Sequence, residues 1–201
     1  MQKYIVLFLF LPIFYTSFSQ ETEKNKTVYS FVPQYLINRG IRIDIEKHIK
    51  NNHVLQFCPQ FYLSERDEDD FSTSKNKYSY LIGGGMNIYH KIFASPDYKN
   101  YGLYLAYGIS LSYYNIEYTD DSENFAIAAK ADVVKTGLDV LLGYQLFSHD
   151  IFSIDIYTGL GTRLSFMDSN GADKDRFNNG YYGYAYTGNI MHLGVRIGVI
   201  L

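Results

Sequence analysis

Tryptophan is absent from this chain, and cysteine occurs once, at Cys58. A single thiol excludes an internal disulfide. No second thiol or suitably spaced histidine accompanies it, which excludes a cysteine-based zinc site. A surplus of positive charge is missing too. Eighteen lysines and arginines (18) stand against 21 aspartates and glutamates, so the electrostatic footprint of a nucleic-acid binder is absent. Beyond Gln20 no apolar run approaches the length of a membrane-spanning helix. Tyrosine (21), phenylalanine (14) and glycine (16) are what the chain has in quantity. Together they suit strands that bend, pack closely and meet a boundary between water and lipid. The 201 residues fit one domain.

The first stretch reads as a targeting signal. Lys3 gives a short positive start, Tyr4 to Tyr15 form an apolar run, and Thr16, Ser17 and Ser19 follow. The run is short for a bilayer-crossing helix, so cleavage near Ser19–Gln20 is expected. No cysteine lies there to carry a lipoprotein anchor. The expected division is a cleaved secretory signal peptide at 1–19, a short periplasmic leader at 20–27 and one folded unit at 28–201. The Ser17-Phe18-Ser19-Gln20 ending resembles secretory signals of Bacteroidota.

From Val28 onward the chain alternates with period two. In Ile41-Arg42-Ile43-Asp44-Ile45-Glu46, three isoleucines take one face and three charged residues the other. A helix would scatter them, whereas a strand sorts them. Eight strands are predicted: Val28–Ile37, Ile41–Ile49, His53–Ser64, Tyr78–Phe93, Tyr101–Tyr118, Asp132–Phe147, Phe152–Met167 and Tyr184–Leu201. A tight Asn38-Arg39-Gly40 turn joins the first pair. Charged or polar loops are predicted at 65–77, 119–130 and 168–180, with short turns between. Short turns at one end and long loops at the other are the pattern of outer-membrane barrels. The expected fold is all-β: an eight-stranded antiparallel up-and-down transmembrane β-barrel.

Alternation alone fits two barrels of opposite polarity. A soluble barrel would turn its aliphatic face inward and show water a face rich in lysine and glutamate. Here the second face carries glycine, serine, tyrosine and isolated charges of both signs, a mixture suited to a narrow interior. Leu103, Leu105, Ile109 and Leu111, like Leu193, Val195, Ile197 and Val199, are expected to face lipid. Tyr78, Tyr80, Tyr101, Tyr113 and Tyr144, near strand ends, are expected in interfacial girdles.

Arg42, Asp44, Glu46, Asp139, Asp155, Arg163 and Arg196 form the first candidate site, a lumen polar cluster. They would either bind a ligand or, as the favoured reading, neutralise one another in a plug, because buried charges must be paired. Tyr181, Tyr182, Tyr184 and Tyr186 are candidates for external contact or for an interfacial girdle. Asp168, Asn170 and Asp173 fail the spacing of a calcium loop because Gly171 comes too early. The acid-rich run of Glu65, Asp67, Glu68, Asp69 and Asp70 is read as a solvated face rather than a divalent-ion site. No nucleophile motif accompanies the histidines. His192 alone merits a catalytic test, with a polar lumen role favoured over it. The Gly83-Gly84-Gly85 run lacks the lysine and helix start of a phosphate loop, so curvature or packing under a bulky neighbour such as Tyr104 is expected.

The segment Phe31 to Glu46 resembles the first hairpin of small outer-membrane barrel proteins common in Bacteroidota, with its proline-containing strand, glycine turn and acidic residue after alternating aliphatics. That resemblance implies an outer-membrane location. The chain departs from many such barrels by ending Gly198-Val199-Ile200-Leu201 rather than in an aromatic residue. The expectation is a monomeric, porin-like but closed barrel with outer-membrane lipids as partners and a protein partner met through external loops or the barrel wall. No cofactor, metal, catalytic residue or nucleic acid is expected. Three roles follow: structural, surface-contact or accessory; binding or passage of a small, hydrophobic ligand; and modification of lipid.

Overall fold

The computed structural model describes residues 27–50, 52–65, 78–94, 102–120, 127–148, 151–171, 177–178 and 183–201. The signal segment and the leader up to residue 26 lie outside them, as do Tyr101, Tyr181 and Tyr182. Eight strands follow in order: β1 (Thr27–Phe31), β2 (Gly40–Lys50), β3 (His53–Glu65), β4 (Tyr80–Phe93), β5 (Gly102–Asp120), β6 (Ile127–Ser148), β7 (Phe152–Ser169) and β8 (Gly188–Ile200). Each pairs antiparallel with its sequence neighbours, and β1 pairs with β8 through Val28↔Ile200 and Phe31↔Ile197. The hydrogen-bonded sheet is therefore a closed ring without edges. The start of β1 meets the last residue at the turn end, where the amide of Thr27 donates to Leu201 O at 3.0 Å. The opposite end, which carries the longer connections, is the loop end.

Two expected strands are shorter than their alternation suggests. β1 stops at Phe31, and Pro33–Asn38 is a 3-10 helix rather than strand. Proline's fixed φ and missing N–H suit a first helical turn and interrupt a ladder. Arg39 closes the helix in the left-handed region (φ 53°), its amide donating to Leu36 O. The segment turns inward: Gln34 Nε2 donates to the Tyr157 hydroxyl at 2.9 Å. Gly194 leaves the space for both, since a Cβ there would collide with Gln34 and Tyr157. At the other end of the chain, β8 begins at Gly188 and not at Tyr184. The amide of Ala185 donates instead to Phe177 O at 2.9 Å. In contrast, β5 and β6 run further toward the loop end than predicted, to Asp120 and from Ile127.

Gly83 does not sit under Tyr104. A Cβ at Gly83 would strike Tyr114, whereas Tyr104 lies across Gly143. Aromatic rings thus fill the ring's interior over glycines on facing strands. Inside, near the turn end, Val54, Cys58, Tyr89, Phe93, Tyr104, Ala106, Leu141 and Tyr157 pack together. Near the loop end a second cluster gathers Tyr62, Tyr78, Leu81, Tyr114, Ile116, Tyr118, Val133 and Phe177.

Candidate functional site: a charged network inside the ring

Alternation along β2 turns Arg42, Asp44 and Glu46 inward while Ile41 and Ile43 face out. Arg42 Nε donates to Asp44 Oδ1 at 2.6 Å, and its Nη2 donates to Oδ2 at 2.9 Å. The third Arg42 nitrogen donates to the Tyr35 hydroxyl at 2.9 Å. From β8, Arg196 Nε donates to Asp44 Oδ2 at 2.7 Å and Nη1 to Asp155 Oδ2 at 2.8 Å. Its guanidinium also lies 3.9 Å from the Tyr157 ring centre. Among the described residues, its Nη2 has no hydrogen-bond partner, which leaves the aromatic face to serve that side of the cation.

Lys91, on β4, completes this half of the network. Its Nζ donates to Glu46 Oε1 and Gln145 Oε1, each at 2.8 Å, and to Asp155 Oδ2 at 3.1 Å. Gln56 donates to Asp44 at 2.9 Å and to Glu46 at 3.2 Å. Tyr104 donates to Asp155 Oδ1 at 2.7 Å. The second half centres on Asp139 of β6. Arg163 grips it with two nitrogens, at 2.5 and 3.0 Å. The Tyr89 hydroxyl donates at 2.8 Å, and His192 Nε2 stands 2.9 Å from Oδ1.

The structure therefore brings together all seven sequence candidates, Arg42, Asp44, Glu46, Asp139, Asp155, Arg163 and Arg196. They gather in two adjoining groups and not in one site. Four cations (Arg42, Lys91, Arg163, Arg196) meet four carboxylates (Asp44, Glu46, Asp139, Asp155) with side chains almost wholly buried. Charge balance is what such burial demands, because an unpaired ion there would carry the full desolvation cost. Lys91 and Gln56 were missed by sequence reasoning. The signal was available: Ile88, His90 and Ile92 share the outer face of β4, which places Lys91 on the inner one.

No protein-family model matches the sequence, and no curated protein does. Among solved structures the chain is similar to CarO of Acinetobacter baumannii, with 13% identity and a TM-score of 0.44 over 90% of this chain and 99% of that one. It is also similar to a major outer membrane protein from Thermus thermophilus, with 12% identity and a TM-score of 0.38 over 88% of this chain and 97% of that one. Identities this low extend no activity to the present chain.

The other candidates fall in different places. His192 is a lumen residue shared with Arg163 on one carboxylate, and no described serine or cysteine is hydrogen-bonded to it. Tyr184 is turned in, its ring centre 5.1 Å from Tyr114 and 5.9 Å from Tyr78. Tyr186 is half-buried and donates to Asn189 O at 3.0 Å. Tyr184 thus packs against the interior rings, while Tyr186 keeps part of its surface open at the loop end. Tyr78 is no girdle residue either: it is buried and donates to Ser64 at 3.0 Å. Asp168 and Asn170 are exposed, and Asp173 lies outside the described residues, as do Asp67 to Asp70. Among the described residues, no three histidine, cysteine or acidic side chains are placed to share a metal ion.

Polarity inverts along the taller strands. On the outer face of β5, Leu103, Leu105, Tyr107, Ile109, Leu111 and Tyr113 are exposed, but Asn115, Glu117 and Thr119 follow them. On its inner face, Ser110 and Ser112 give way to Tyr114, Ile116 and Tyr118 at that level. β6 repeats the switch, with Val134 to Leu146 outside below Asp132 and Lys130. β7 does so between Phe166 and Asp168. Across the boundary the Tyr113 hydroxyl and Asn115 both donate to Asp132 Oδ1, at 2.5 and 2.8 Å.

Proposed function

We propose that the chain is an integral outer-membrane β-barrel with a sealed interior and a structural, surface-contact or accessory role. The inversion on β5 to β7 carries this reading. Toward the turn end the ring is apolar outside and holds the charged network among aromatic rings inside. Toward the loop end it is polar outside and apolar inside, as a sheet in water must be. The apolar outer stretch from Leu103 to Tyr113 is the length expected of a tilted membrane-crossing strand, with a height of about 25 Å. A wall of this kind left in water would be an aggregation surface. Tyr113 and Tyr144, both exposed near the ends of that stretch, fit girdle positions.

The matched charges and the aromatic layer above them support a closed lumen. Planar-bilayer recordings test it: no unitary conductance is expected, and stepwise openings would contradict it. Ligand binding has one observation in its favour. Lys135 points into the loop-end interior, donates to Gly183 O at 3.0 Å, lies 5.6 Å from the Tyr114 ring centre and pairs with no described carboxylate. An acidic amphipathic ligand is the kind it would take, and Lys135→Met should abolish its binding in calorimetry.

A further inference from the structure

Among the described outward side chains of β3, β4 and β5, two histidines and a tyrosine form a hydrogen-bonded chain that enters the apolar band. His53 Nδ1 lies 3.0 Å from His90 Nε2, and His90 Nδ1 lies 2.7 Å from the Tyr107 hydroxyl. The two imidazoles stack with ring centres 5.0 Å apart. Their inward neighbours Val54, Tyr89 and Ala106 are buried, so all three polar side chains face outward. Lys50 stands directly opposite His53 in the register. Lys47 lies in the row of His90, with Leu55 between them. His53 and Lys50 stand at the turn-end limit of β3 and β2, and the chain runs from there to Tyr107 within the apolar band.

We propose that this patch binds the phosphate group of a phospholipid in the membrane leaflet at the turn end. A phosphodiester only accepts hydrogen bonds, so its site must supply donors. The three-residue chain can supply one. When the Tyr107 hydroxyl donates to His90 Nδ1, a neutral His90 carries its proton on Nε2 and donates to His53 Nδ1. His53 then carries its proton on Nε2, a nitrogen with no partner among the described residues. An anion at that nitrogen selects this direction of the chain over its reverse and polarises every link. Lys47 and Lys50 add two positive charges beside this chain, where long basic side chains reach for the interface. The hydrophobic band alone does not explain three hydrogen-bonding side chains aligned across β3, β4 and β5.

This inference rests on the membrane reading above, and its test separates the two. The folded full chain in maltoside micelles is offered phosphatidylglycerol or diacylglycerol with the same acyl chains, and retained lipid is counted by native mass spectrometry. The wild-type protein should retain phosphatidylglycerol about tenfold more strongly than diacylglycerol, the scale of a charge-assisted hydrogen bond. His90→Leu, which keeps the wall apolar, should remove most of that preference. Lys50→Gln, on an exposed side chain, should weaken it severalfold. Equal preference in wild type and His90→Leu would overturn the site. Millimolar inorganic phosphate should leave the imidazole 15N shifts unchanged. A shift matching that produced by the lipid would overturn the lipid source. Failure to fold in any micelle would instead overturn the membrane reading beneath it.

Discussion

Arg196 ties three strands of the network together, joining β8 to Asp44 of β2 and Asp155 of β7. Removing one partner from such a set leaves the others charged and short of donors. Arg196→Leu should therefore destabilise the folded protein by about 3–5 kcal/mol, measured by urea unfolding in micelles. A loss within 0.5 kcal/mol, the scale of ordinary surface substitutions, would mean the interior is hydrated enough to solvate Asp44 and Asp155 on its own. Gly83 gives a steric counterpart. Gly83→Val would drive a branched side chain into Tyr114, and overpacking of that kind should cost about 1–3 kcal/mol in the same assay. The charged candidates were legible residue by residue because each shares a face with glycine or serine against aliphatic neighbours. Their partners across the ring were not legible. Alternation says that Arg196 points inward, but which carboxylate meets it depends on register and closure, which no single strand encodes.

At the scale of elements, β5 is two strands in one. Its first half has lipid-facing chemistry and its second half water-facing chemistry, with the change between Tyr113 and Asn115. Ile109→Arg, in the middle of the apolar stretch, should cost about 2–4 kcal/mol of stability in liposomes. Thr119→Arg, on the same face above the boundary, should change it by less than about 0.5 kcal/mol. Equal effects at the two positions would contradict the boundary. Most strands could be read from the sequence because period-two patterning is strong over ten or more residues. The Pro33–Asn38 helix could not. Its residues Tyr35, Leu36 and Ile37 have strand-like chemistry, and the competing signal, a proline's fit to a first helical turn, is a single residue. Tyr184 failed for a similar reason. The alternating tyrosines near it look like strand, yet Ala185 and Tyr186 make turn hydrogen bonds to Phe177 and Gly183.

The whole molecule is a closed ring whose outer surface changes from apolar to polar along β5 to β7. The proposed outer-membrane reading puts hydrocarbon around the turn end and water around the loop end. The sealed interior, the accessory role and the phosphate patch all depend on this. Spin labels on single cysteines, introduced in a Cys58→Ala background and reconstituted in liposomes, would examine it most directly. Labels at the outward positions of β5 from Leu103 to Thr119 report collision with dissolved oxygen or with a water-soluble nickel chelate. Oxygen-dominated collisions are expected through Tyr113 and chelate-dominated collisions from Asn115 onward. Chelate access along the full length of the strand would contradict that reading.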